Sequence, residues 1–240
     1  MGRPPDGRER IEEGRTGECR VTEAIEPVPV VVEGELSGPA VWALQRLRRV
    51  LRTLDATDVG DDPSVRIFAG TTATSEPGLM LVGAGVAIPT SPEAMAIAFT
   101  GNTLAIGGGG DRGLAYALHE VADRLERGRR PIDWSSRFPP IKESPSVRTR
   151  SVAVFPHNEE MDASWYFDVE YWRTYFDKLS SNRFNSFSLT FGHQTAYLVP
   201  PYAFLVPMPE FPTVTVPQLT NDQREKNLLA LQMISRTATE

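Results

Sequence analysis

The sequence predicts an α/β protein in two parts: an α+β accessory domain with a mixed sheet and helices on one side, then the first strand–helix units of a second domain. Three observations predict this. Strand-like runs at 28–32, 64–70 and 94–108 are interleaved with segments whose apolar residues recur at helical spacing. The segment 131–146, with prolines at 131, 139, 140 and 145, breaks every period and reads as an extended connection. Beyond it a strand–helix–strand–helix order restarts, which implies parallel strands joined by crossovers.

The first 24 residues are charged, rich in Gly and Pro and without a hydrophobic core, so they read as a disordered tail rather than a secretory signal. The default location is then cytoplasmic. "VPVVV" at 28–32 is a β-branched strand. Ser37 is the expected cap of a helix in which Ala40, Leu44, Leu47, Leu51 and Leu54 form one apolar stripe. The arginines of "QRLRRVLR" at 45–52 fall mostly off that stripe and read as a solvated face. "SVRIFAG" at 64–70 is a second strand, and "GLMLVGAGVAI" at 78–88 is a further candidate strand. "AMAIAFTGNTLAIGG" holds two apolar runs joined at Gly101–Asn102, the signature of a hairpin. A helix follows with Leu114, Leu118, Val121 and Leu125 on one face.

The expected boundaries are therefore 25–130 for the accessory domain, 131–146 for the connection and 147–240 for the second domain. An eight-stranded barrel needs roughly 250 residues, and 94 remain from residue 147, so the second domain is expected to be incomplete.

A net charge of −6 and a pI near 5.3 argue against nucleic acid or acidic lipid as partners. No run of apolar residues is long enough to span a membrane. The single cysteine, Cys19, offers neither a disulfide framework nor a zinc cluster.

Two motifs at 106–126 suggest a cofactor. Gly108, Gly110 and Gly113 make a formal G-x-G-x-x-G, but the strand before them pairs back through a hairpin. The acid at the right distance, Asp133, lies in the proline-broken segment. "HEVAD" places Asp123 where a zinc-binding H-E-x-x-H needs its second histidine, so His119 and Glu120 read as ordinary surface or half-buried helix residues. No cofactor and no metal is expected.

"GGGGDRGLAYALHEVADRLE" resembles the G-x-x-R-G-x-x-Y ending of a non-catalytic α/β domain that precedes the barrel in family 20 β-hexosaminidases and family 67 α-glucuronidases. Arg112, Gly113 and Tyr116 match it. Arg150 before "SVAVF", and Asn182, Phe184 and Asn185 in "LSSNRFNSFSLTF", resemble the opening of the barrel that follows. The strand end "VAVFPHNEE" departs from the L-D-x-x-R of family 20. The resemblance implies a TIM barrel broken off after its second helix, and hydrolysis of O-glycosidic bonds by paired carboxylates on later strands, beyond residue 240. This chain alone is then inactive.

In such barrels function gathers at the C-terminal ends of the strands. There the sequence offers His157, Asn158 and Glu159 after one strand, and His193, Gln194 and Tyr197 after the next. Polar groups beside aromatics are what hold a saccharide, so these six are the expected contacts to an oligosaccharide or glycoside substrate. The loop from Gln194 to Thr220, with six prolines and four aromatics, is long enough to shape a binding site. Two rival readings are a non-catalytic carbohydrate-binding or interaction module of the same architecture, and a nucleotide-dependent oxidoreductase built on the glycine run.

Overall fold

The computed structural model describes residues 27–59, 64–156, 159–190, 206–207, 209–213 and 219–239, with residues 159 and 160 described by backbone alone. The expected tail and the site residues His157, Asn158, His193, Gln194 and Tyr197 lie outside the described residues, as does most of the proline-rich loop.

The first unit runs β1 (Val30–Glu33), α1 (Pro39–Leu51), α2 (Ala56–Val59), β2 (Arg66–Gly70), α3 (Glu76–Gly83), β3 (Met95–Thr100), β4 (Thr103–Gly108), α4 (Asp111–Arg127), α5 (Trp134–Arg137) and β5 (Ile141–Glu143). Its sheet has the order β1-β2-β4-β3-β5. β1, β2 and β4 are parallel, and β3 is antiparallel to both of its neighbours. This is the mixed sheet expected, with the hairpin at Gly101, whose φ of 60° suits glycine.

Alternation along the strands sorts large side chains from small. Ile67, Met95, Ile97, Leu104 and Ile106 pack under α1 and α4 with Leu47, Leu51, Leu114, Leu118, Val121 and Leu125, all of them buried. Each fully buried leucine or isoleucine stabilises the fold by about 1.5–3 kcal/mol relative to exposure. The opposite face carries Ala96, Ala98 and Ala105. It also carries Gly107, where a Cβ would lie 2.6 Å from Ile88 and Leu81 side-chain atoms. That thin face receives α3.

Two expectations need correction here. Helices cover both faces, not one, because 76–83 is a helix and not a strand: Ser75 caps it by accepting from the Gly78 N–H at 3.2 Å, and Pro77 lies in its first turn. Ser37 does not cap α1; Gly38 holds that position with a φ of 46°, and the Ser37 hydroxyl donates to the Asp111 carboxylate.

The proline-broken segment also has structure that its sequence hides. Asp133 caps α5, and β5 joins the sheet edge. The Trp134 indole donates to the Val59 carbonyl at 2.9 Å and stacks between Phe99 and Phe138. Elements of four and three residues are too short to show a period.

The second unit runs β6 (Ser151–Val154), α6 (Glu159–Tyr166), α7 (Val169–Ser181), β7 (Ser186–Leu189) and α8 (Asn221–Thr239). β6 and β7 are parallel, with Ser151 opposite Ser186 and Val154 opposite Leu189. Trp172 and Tyr166, both fully buried, centre an aromatic core with Trp165, Phe167, Tyr175, Phe176 and Phe187. Among the described residues no helix is long and apolar enough to cross a membrane.

Candidate functional site

Because β6 and β7 are parallel and in register, their C-terminal ends are level, and the Thr190 N–H donates to the Val154 carbonyl at 2.9 Å. Five of the six expected substrate contacts follow these two ends in sequence and lie outside the described residues. Of the six, the structure describes only Glu159, by its backbone, as the first residue of α6.

The motif residues that resemble glycosidase sequences instead converge at the other end of the strand pair. Arg150, just before β6, donates to the Glu93 carboxylate at 3.0 Å and to the Tyr116 hydroxyl at 3.1 Å through one guanidinium nitrogen. Its Nε donates to the Arg183 carbonyl at 2.6 Å, and its backbone N–H to Asn185 Oδ1 at 2.9 Å. Asn185 Nδ2 donates in turn to Glu93 at 2.9 Å. Arg112 adds a longer ion pair to Glu93 at 3.5 Å. Arg183 bridges to Glu120 on α4 at 3.0 Å and to Glu143 on β5.

Partial burial alone would raise the Glu93 carboxyl, but hydrogen bonds from Asn185 and Arg150 outweigh it and hold the group below the usual carboxylate range. Burial, with Glu93 close by, pushes the Tyr116 hydroxyl up. This constellation ties the first unit to the second. Glu93 carries no motif in the sequence, and only its partners were legible.

Local backbone places the partners. α7 ends as Arg183 turns left-handed at φ 64°, with the Phe184 N–H donating back to the Leu179 carbonyl at 3.0 Å. That reversal aims Asn185 at Arg150 and starts β7.

The glycine run is a close-packing device. A Cβ on Gly113 would lie 2.1 Å from the Ala94 carbonyl oxygen, and one on Gly109 would lie 2.0 Å from that of Ser91. Two N–H groups of the turn are committed to close packing: Gly109 donates to Ala94 at 2.9 Å and Gly113 to Pro92 at 3.1 Å. Asp133, the acid at the ribose distance, accepts from Ser136 as a helix cap.

The "HEVAD" residues are equally committed. Glu120 accepts from Arg124 at 2.8 Å, and Asp123 from Arg46 at 2.5 Å. Among the described residues no cluster of His, Cys, Asp and Glu is arranged to hold a metal. His119 is not a surface residue: it is 1% exposed, and its Nδ1 faces the Arg46 guanidinium at 3.2 Å. Arg46, read as part of a solvated face, joins α1 to α4 through Asp123 and Glu126.

Beside His119 a cleft of about 560 Å³ opens between α1, α4, α7, the start of β7 and the end of α8. Burial raises the carboxyl of Asp177 on its wall, against the pull of Arg46 and Arg49.

No family model matches the sequence, and no curated protein matches it. Among solved structures the chain is similar to a GH138 enzyme targeting pectin rhamnogalacturonan II, with a TM-score of 0.61 and 20% identity. The likeness covers 88% of this chain and 22% of that one, so the chain spans about a fifth of the length of the structure it matches. The chain therefore has a glycoside hydrolase-like α/β fold; the solved structure is of family 138, whereas the sequence motifs resemble families 20 and 67.

Proposed function

We propose that this chain is the accessory domain (25–130 as expected, with α5 and β5 of the expected connection 131–146 joined to its sheet) and the first β/α units (147–240) of a TIM-barrel enzyme that hydrolyses O-glycosidic bonds in an oligosaccharide. The observation that carries the reading is the fold likeness to a glycoside hydrolase across both units. The parallel strand pair with a helical crossover is what a barrel opening requires. Substrate is held at the strand ends by His157, Asn158, Glu159, His193, Gln194 and Tyr197.

Glycoside hydrolysis needs two carboxyl groups flanking the scissile bond. Glu93, Glu120 and Asp123 are committed to Arg150, Arg124 and Arg46. In the families that the motifs resemble, the acid/base pair lies on later strands, and the proposal places it beyond residue 240 here. Residues 1–240 alone turn nothing over.

Reducing-end release across a plant-polysaccharide panel tests this. Protein extended beyond residue 240 is expected to hydrolyse at least one substrate, with His157→Ala raising KM about tenfold, the value of one good hydrogen bond. Turnover by residues 1–240, lost in Glu159→Gln, would place the acid within this chain. Glycan binding without turnover in the extended protein would favour a non-catalytic binding module.

A further inference from the structure

We propose that the cleft between α1, α4 and α7 binds a carboxylate-bearing saccharide at a second site, remote from the strand ends. It is lined by Asn185 and Ser186 at the start of β7, whereas the substrate contacts proposed above follow that strand's far end. The inference stands without that reading.

The first observation is a buried donor with nothing to donate to. Arg46 offers only N–H groups, so the His119 Nδ1 facing it is the acceptor and the imidazole proton sits on Nε2. His119 lines the cleft, and its Nε2 has no hydrogen-bond partner among the described residues. The nearest carboxylate oxygen, on Asp177, is 3.9 Å away, too far for a hydrogen bond. A ligand hydroxyl beside this pair, accepting from Nε2 and donating to the Asp177 carboxylate, would satisfy that N–H.

The second observation is charge. Arg46, Arg49, Arg112 and Arg173 line the cleft with the carboxylates Glu170 and Asp177; Arg46 is held by Asp123 and Glu126 and Arg173 by Glu170 at 2.7 Å, which leaves Arg49 and Arg112 to a ligand. Arg49 is exposed and makes no ion pair among the described residues. Arg112 is 58% exposed on its side chain, with the 3.5 Å pair to Glu93 its one ion pair among the described residues. Free guanidinium groups recognise carboxylates through paired N–H donors.

The third is surface. Trp42 is 39% exposed and Phe184 36%, and both line the cleft. Aromatic faces of this kind stack on the C–H side of a pyranose ring. The volume of about 560 Å³ lies in the range of small-ligand sites. A neutral sugar would leave Arg49 and the exposed side chain of Arg112 unused.

Isothermal titration of residues 1–240 with tetragalacturonate, a neutral glucose tetramer and ATP separates the alternatives. The acidic tetramer is expected to bind and to weaken with salt, and the other two to bind at least about tenfold less well. His119→Gln should weaken binding about tenfold, and Arg49→Ala, an exposed change that leaves the fold intact, about fivefold. Three results would overturn the proposal: no heat with the acidic tetramer, tighter binding of ATP, or affinity lost in His157→Ala yet unmoved by Arg49→Ala.

Discussion

Trp172→Ala is expected to cost about 4 kcal/mol, the upper range for removing a buried aromatic from a core that cannot collapse around the void. Trp172 is fully buried, with the rings of Trp165, Tyr171, Phe176 and Phe187 centred 5.4–5.6 Å from its own. Its indole N–H donates to the Tyr166 carbonyl at 3.0 Å. Tyr166 itself is buried with no partner for its hydroxyl among the described residues, and burial pushes that hydroxyl up to about 12. Few other buried side chains remain to fill a hole in this small core. Trp172→Phe keeps much of the ring packing and loses the hydrogen bond, so about 2 kcal/mol is expected. Thermal denaturation should show a fall of about 10 °C for the alanine variant. A change under about 2 °C would mean that this core contributes little to stability.

Acid should destabilise the protein through His119 before the carboxylates are fully titrated. Burial, and then Arg46, lower the imidazole from 6.5 to about 4 against the opposing pull of Asp123. Asp177 and Arg49 face it from α7 and α1 across the cleft. The folded-state value is depressed, so the unfolded chain takes up the proton first as pH falls. Stability is therefore complete above pH 6.5 and is lost progressively down to about 4. The gap corresponds to about 3 kcal/mol. Urea denaturation at pH 7.5 and 4.5 checks this: His119→Gln should lose less stability between the two than the natural chain, by about that amount. Equal losses would show that His119 does not supply the acid sensitivity.

What was legible in the sequence follows from length and contrast. The stripes of α1 and α4 stood out because each helix has one buried and one charged face over 13 and 17 residues. The β3–β4 hairpin stood out because Gly101 and Asn102 separate two apolar runs. α3 was obscured by apolar residues on its outer side: Leu79 is 62% exposed and Val82 52%, so no polar face marked its period.

The joint was half legible. Arg112, Tyr116, Arg150 and Asn185 belong to recognisable patterns, yet nothing near Glu93 announces the carboxylate on which they converge. His119 was misplaced because burial of a polar residue depends on a distant partner, here Arg46, 73 positions earlier in the chain. The strand-end residues carry no motif of their own; only their place after a parallel strand singles them out.

The central claim is that the R-G-x-x-Y motif is a joint, holding the first unit on the opening of the second and taking no part in chemistry. Scanning calorimetry of Glu93→Gln tests it most directly, because the substitution removes the carboxylate shared by Arg150, Asn185 and Arg112 while preserving its shape. The natural chain should melt in one cooperative transition. The variant should melt in two, with the β6–α8 unit unfolding first, as expected of units that have lost their coupling. A single transition at unchanged temperature would contradict the claim.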